Sequence, residues 1–158
     1  MKRSILITIT IILLIVTMIY MSNNSNVPIW EENALNLSES FNLISGSTAT
    51  IGDLSGFTKF EWDELYSFQA YFPKDEIYKT VGYKWADISE TVNEGMNQIV
   101  FLNDGEVVCY LYGYPDRYNL YFEFGYHRDG YYLLNSNENL AFEMTVIDDI
   151  RYFKYINE

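Results

Sequence analysis

An uncharged apolar run at the head of the chain sets the first constraint on what it can become. Met1-Lys2-Arg3-Ser4 is followed by Ile5 to Met21 without a single charge, and its only polar side-chain groups are the hydroxyls of Thr8, Thr10, Thr17 and Tyr20. A helical threonine can bond back to a carbonyl of the preceding turn, so these cost little in an apolar setting. As a helix the run would reach roughly 26 Å, at ~1.5 Å per residue, which is the short end of a membrane span. It is long for the apolar core of a signal peptide, ~7–15 residues. Met18-Ile19-Tyr20-Met21-Ser22-Asn23 lacks the paired small residues that signal peptidase reads. Residues 1–21 are therefore expected to form an uncleaved anchor that meets the lipid bilayer through residues 4–21, a cleaved signal being the alternative. Lys2 and Arg3 precede the run and no further basic residue appears before Lys59. That bias predicts a cytoplasmic N-terminus with the rest of the chain outside the cell membrane.

The charge balance then narrows the partners. The 158 residues carry 22 Asp and Glu against 10 Lys and Arg. Two of the basic residues sit in the leader, so the part beyond it holds eight basic residues against all 22 acids, a balance of −14. Such a surface repels nucleic acid, anionic lipid and wall polyphosphate, and suits an envelope protein or a neutral or cationic ligand. One Cys and one His cannot supply the soft ligands of a zinc site, and no metal or cofactor is expected.

Residues 22–29, Ser-Asn-Asn-Ser-Asn-Val-Pro-Ile, read as a polar linker ended by Pro28. Residues 30–158 are enough for one hydrophobic core. The spacing of Ala34, Leu37, Phe41 and Ile44 predicts a helix over 31–45, with Glu31 and Glu32 in its first turn and Gly46 as its stop. Pro73 to Gly82 predicts a short helix, opened by proline, acidic in its first turn and closed by glycine. Strands are expected over 48–54, 65–72, 98–102, 106–114, 120–126, 131–134, 141–147 and 151–156, and residues 83–96 are expected to be irregular. Asn103-Asp104-Gly105, Pro115 to Asn119 and His127 to Gly130 read as turns between successive strands, so the C-terminal half is expected to be an antiparallel meander. The fold class is α+β: one antiparallel sheet with one or two helices packed on a face.

Tyrosine stands out among the residues that could meet a ligand. Alternation in 106–114 places Val107, Cys109 and Leu111 on one face and Val108, Tyr110, Tyr112 and Tyr114 on the other. A row of Tyr at period two can bind sugar or peptide, because each ring joins an apolar face to a polar tip. It can equally be a packing surface under a helix. Tyr110, Tyr112 and Tyr114, with Trp62, are the candidate ligand-binding residues. Asp63 or Glu64, paired with a second acid, could serve a glycan hydrolase, but in so acidic a chain neighbouring acids are expected by composition. Trp62 is then a core anchor, and Asp63 bonds a backbone N–H. His127 is expected to lie exposed in a turn, and Cys109 to be a small buried hydrophobe. The loop Asn135-Ser136-Asn137-Glu138-Asn139 has oxygen ligands but not the calcium-loop pattern of an EF-hand.

Phe60-Glu61-Trp62-Asp63-Glu64-Leu65-Tyr66, followed by Pro73-Lys74-Asp75-Glu76-Ile77 and Gly82, resembles small membrane-attached outer-surface domains of Gram-positive bacteria. These pair a W-D-x-x-Y strand with a P-x-x-E-I helix. Many of them are lipoproteins, whereas this chain has no cysteine near its leader. The resemblance implies a membrane-attached bacterial domain and no particular activity. The sequence favours a binding or structural module over an enzyme. A cell-envelope hydrolase acting on glycan or peptide, and an acidic immunity or inhibitor protein for a basic partner, are the alternatives.

Overall fold

The computed structural model describes residues 11–18 and 27–156. Residues 11–18 (α1) are helical, and the Thr17 hydroxyl donates to the Leu14 carbonyl at 2.9 Å. Among the described residues no helix is long and apolar enough to cross a membrane. Most of the span expected over residues 4–21 lies outside them.

The α+β class holds, but the single expected sheet is two. Strands β1 (Thr48–Ile51), β7 (Phe142–Ile147), β8 (Ile150–Tyr155) and β5 (Leu120–Glu123) form one sheet, in the order β1-β7-β8-β5. Strands β4 (Glu106–Gly113), β3 (Asn97–Asn103), β2 (Glu64–Phe68) and β6 (Tyr131–Asn135) form the other, in the order β4-β3-β2-β6. The second sheet is antiparallel throughout, whereas β5 lies parallel to β8 in the first. The physical reason lies in the turns. The β3–β4 and β7–β8 turns are tight and return the chain to its neighbour. The segments 114–119 and 124–130 instead carry it from one sheet to the other and back, so successive strands reverse direction without pairing.

Layer order explains which segments are apolar on both faces. Ile99 and Phe101 of β3 pack between the sheets, against Phe142, Phe122 and their neighbours. Val100 and Leu102 face the other way, onto α3 (Lys74–Val81) and Ile88. A strand covered on both sides reads as a nearly continuous apolar run, which is what Ile99-Val100-Phe101-Leu102 is. Phe41, Phe122, Phe142 and Phe153 meet at the centre of the inter-sheet layer, with Phe122 stacked on Phe153 at 4.6 Å. Each fully buried ring stabilises by about 1.5–3 kcal/mol.

Two sheet edges are closed by amide side chains. α2 (Ile29–Phe41) begins two residues earlier than expected, behind Pro28, and ends at Phe41, well before Gly46. Its buried Ala34, Leu37 and Phe41 form one face at helical spacing, and it lies along β4. There the Asn33 Nδ2 donates to the Val108 carbonyl at 2.8 Å. Val108 is the extra residue of a bulge, since Phe101 pairs with Cys109 but Leu102 with Val107. The bulge corrects the expected alternation. Val107 joins Tyr110 on the α3 side, and Val108 joins Cys109 and Leu111 on the inter-sheet side.

The free edge of β5 is closed by Asn97. Its Nδ2 donates to the Leu120 carbonyl at 2.7 Å, and its Oδ1 accepts from the Phe122 N–H at 3.2 Å. The predicted helix at 74–81 is capped as its sequence demands, with Gly82 in the left-handed region at φ 90°. Other expected strands are shorter than drawn. β2 stops at Phe68, β5 stops at Glu123, and Leu54 starts a 3-10 turn instead of ending β1.

Replacing Asn97 by Ala would leave the Leu120 carbonyl and the Phe122 N–H buried without partners. The expected loss is about 2–4 kcal/mol of unfolding free energy, measured by urea denaturation. Asn97→Asp should recover the bond from Phe122 but not the one to Leu120.

Candidate functional site

The structure brings three of the four candidate ligand-binding residues onto one face. Tyr110, Tyr112 and Tyr114 alternate along β4 and its end, on the α3 side of the sheet. Tyr110 and Tyr112 stack at 5.6 Å, Trp85 stands edge-on to Tyr110 at 5.1 Å, and Trp30 meets Trp85 at 5.3 Å. Trp30 of α2 stands edge-on to Tyr110 at 6.0 Å, and the irregular segment 83–93 supplies the partners of the hydroxyls. The Tyr110 hydroxyl accepts from the Ser89 N–H and from Gln98 Nε2, both at 3.1 Å. Tyr112 donates to the Glu90 carbonyl at 2.8 Å, and Tyr114 accepts from Asn93 Nδ2 at 2.6 Å. In return Tyr83, within that segment, accepts from the Val107 N–H at 2.9 Å. Exposure rises along the row: Tyr110 is buried, Tyr112 half-buried, and Tyr114 48% exposed. A ligand at this face would therefore touch Tyr114 and the rim of Tyr112, with Tyr110 holding them from beneath.

Trp62 is not part of that surface. It is buried in the inter-sheet core, edge-on to Phe101 at 5.2 Å, and its Nε1 donates to Thr58 Oγ1 at 3.1 Å. The thickness of the β4-β3-β2-β6 sheet separates it from the tyrosine row.

The two carboxylates beside Trp62 make structural bonds, with Asp63 Oδ1 left buried and unpartnered. Asp63 Oδ2 accepts from the Asp104 N–H at 2.9 Å and so clasps the β3–β4 turn. Glu64 accepts from the Tyr66 hydroxyl at 3.1 Å. In the loop expected to offer oxygen ligands, Asn135 Nδ2 donates to Glu138 Oε1 at 3.1 Å, and the Glu138 N–H donates to the Asn135 carbonyl at 3.0 Å. Among the described residues no group of three or more His, Cys, Asp or Glu side chains gathers to hold a metal ion. Cys109 is buried, and burial pushes its thiol well above the usual value.

His127 departs from expectation. It is half-buried rather than exposed, and its Nε2 lies 3.0 Å from the Ser67 Oγ. Desolvation holds the imidazole below its usual value, partly offset by a bond to the Gly125 backbone. A neutral ring beside a hydroxyl is the proton-accepting half of an acyl-transfer pair, and a cleft of about 200 Å³ opens next to it, bordered by Gln69, Glu94 and Tyr121. Two features weigh against that chemistry. Ser67 sits inside β2 with strands paired on both sides, and the bond opposite Ser67 is to backbone rather than to a carboxylate. Period two in 65–72 sets Ser67 with Gln69 and Tyr71, opposite Tyr66 and Phe68, so no short-range pattern marked its hydroxyl as buried.

No protein-family model, curated protein or solved structure matches this chain.

Two outcomes follow for stability. Trp62→Ala should cost about 3–5 kcal/mol, read as a lowered melting temperature, because it empties a core site and leaves the Thr58 hydroxyl without its donor. Alkaline pH should unfold the domain through its tyrosines. Burial raises Tyr66 from 10.0 to about 12, with Glu64 acting in the same sense. Burial also raises Tyr110, Tyr118, Tyr121 and Tyr155. The unfolded chain releases these protons first. The stability tied to the neutral hydroxyls is thus complete below pH 10 and disappears as pH climbs through the folded values. Absorbance at 295 nm should show a delayed group of tyrosines that titrates together with unfolding.

Proposed function

We propose that this chain is a single-pass, membrane-anchored binding module that displays an acidic α+β domain outside the cell, and that it works by docking rather than by catalysis. One observation carries the reading. Ile11 to Val16 and Met18 in α1 are all apolar and all at least half exposed. A helix apolar on every side is suited to a lipid or protein-core environment and ill-suited to water. The folded domain begins with α2 at Ile29, the last residue of the expected polar linker. That arrangement supports an anchor, a short tether and a globule, and the resemblance to outer-surface domains of Gram-positive bacteria fits the same order.

Within the domain, the exposed end of the tyrosine row at Tyr112 and Tyr114 is the proposed contact surface. Loop 83–93 is bonded to it and would set its shape. The −14 balance beyond the leader favours a neutral or cationic partner.

The anchor is tested by alkaline carbonate washing of membranes that carry the full-length chain. Retention is expected, together with release of a variant that lacks residues 1–27; a full-length chain found in the wash defeats the anchor. The contact surface is tested by capture from envelope extract with wild type and Tyr114→Ala. The variant should melt within about 0.5 kcal/mol of wild type, as for an ordinary surface change, and lose the captured partner. Equal capture would remove the tyrosine row from the reading.

A further inference from the structure

The chain has three tryptophans, at positions 30, 62 and 85. Trp62 belongs to the inter-sheet core, whereas Trp30 and Trp85 are half-buried on the α3 side and meet each other at 5.3 Å. That contact lies where the chain enters the domain. Val27 and Ile29, just before Trp30, are 48% and 59% exposed. Lys84, just before Trp85, is exposed as well. Lys74, Lys79 and Lys84 place three of the eight basic residues beyond the leader within one short stretch. A groove of about 440 Å³ follows it, bordered by Tyr78, Lys79, Tyr83 and Lys84.

Exposed aliphatic residues, half-buried Trp and Tyr rings and lysines suit a membrane–water interface. Amphipathic rings settle at the headgroup level, and lysine lays its stem on apolar surface while its head stays in water. The acids nearby decide the kind of headgroup. Glu76 is paired with Lys79 at 2.6 Å and Glu31 with Arg117 at 3.0 Å. Glu32 and Asp87, each two residues from one of the tryptophans, and Asp75 at the groove are exposed. They repel an anionic surface but suit a zwitterionic one, which offers its phosphate to Lys84 and its ammonium to the carboxylates.

The length of the tether brings this end of the domain to lipid. The anchor is expected to end at Met21, and Val27 lies six residues on, at most about 22 Å away when fully extended at ~3.6 Å per residue. A domain of about 130 residues has a radius of gyration of about 14 Å, so the tether is shorter than the domain is wide.

We propose that the domain rests on the zwitterionic surface of its own bilayer through Val27, Ile29, Trp30, Lys84 and Trp85. The contact rests on the anchor of the proposed function and adds an orientation to it. A tether alone would let the domain tumble, and the lipid contact fixes which face it turns outward.

The test reconstitutes the full-length chain into phosphatidylcholine vesicles, with and without bromine on the upper part of the acyl chains, where it quenches indoles on contact. No tryptophan lies in residues 1–29, so the anchor itself is silent. Wild type should lose at least about a third of its emission in the brominated vesicles, because rings at the headgroup level reach the bromine. The double variant Trp30→Phe, Trp85→Phe keeps only Trp62 and should emit equally in both. Equal emission of wild type in both vesicles, or quenching of the double variant as strong as that of wild type, overturns the lipid contact. Carbonate washing of the same vesicles separates the causes. A retained but unquenched chain keeps its anchor and loses the contact, whereas a chain released by the wash loses both.

A second variant leaves the tryptophans in place. Val27→Glu with Ile29→Glu changes only exposed side chains. It should cut the quenching at least about twofold, because interfacial binding scales with buried apolar area, while the circular-dichroism melt stays where it is. Undiminished quenching in that variant also overturns the contact.

Discussion

Asn97 is the joint on which the two-sheet arrangement turns. β5 follows β4 and precedes β6 in the chain, and both of those belong to the other sheet. β5 is joined to its own sheet only through the parallel pairing with β8. Its other edge would be left with an N–H and a carbonyl buried between layers, each costing about 1–3 kcal/mol if unpaired. A carboxamide is a copy of the peptide group. Placed at the start of β3, the Asn97 amide gives β5 the donor and acceptor that a fifth strand would have given, in one side chain and across the gap between sheets. Asn33 does related work at the other edge, donating to the bulge carbonyl of Val108 from α2. The place of Phe122 in the inter-sheet layer, beside Phe153 of the neighbouring strand, depends on β5 staying where Asn97 holds it.

This also explains which parts of the fold were legible in the sequence. The helix at 74–81 was, because Pro73 and Gly82 act within a single turn of their own positions. So was the β3–β4 turn, where Asp104 and Gly105 take φ of 51° and 78° as an Asp-Gly pair can. The partition into two sheets was not. A turn such as Pro115 to Asn119 encodes that the chain reverses, and nothing local encodes into which layer it reverses. The β5–β8 pairing joins residues about thirty apart in sequence through no shared turn, and such contacts leave no short-range pattern. The bulge at Val108 was hidden for a different reason. Valine suits either face, so the flip in alternation changed no residue type that a period-two reading could detect.

The candidate site was half legible on the same grounds. Period two put Tyr110, Tyr112 and Tyr114 on one face, and they are there. Their use of hydroxyls was not visible, because the partners sit twenty residues back in a segment without regular structure. Segment 83–93 has no helix or strand to satisfy its backbone, so Ser89 and Glu90 are paired through tyrosine hydroxyls. The abundance of Tyr follows from that: Phe would fill the same volume but leave the segment's polar groups buried and unpaired. Trp62 had two readings in the sequence, a ligand contact and a core anchor, and it lies in the inter-sheet core as the second has it.

The same hydroxyl bonds lower the cost of contact at the proposed surface. A surface loop normally gives up conformational freedom when it meets a partner, at about 1–2 kcal/mol per ordered residue. Here the hydroxyls of Tyr110, Tyr112 and Tyr114, together with Tyr83, have already fixed loop 83–93 against β4, so much of that cost falls on folding instead. A rigid loop beside a half-exposed ring at Tyr114 can hold a partner through few contacts. The acidic remainder of the surface adds long-range attraction for a cation without having to form part of the contact. Tyr114→Phe separates the two roles of the ring: it keeps the apolar face and removes the acceptor that holds Asn93. If rigidity of the loop matters, this variant should bind the partner more weakly than wild type while retaining the ring. If only the aromatic face matters, it should bind equally well.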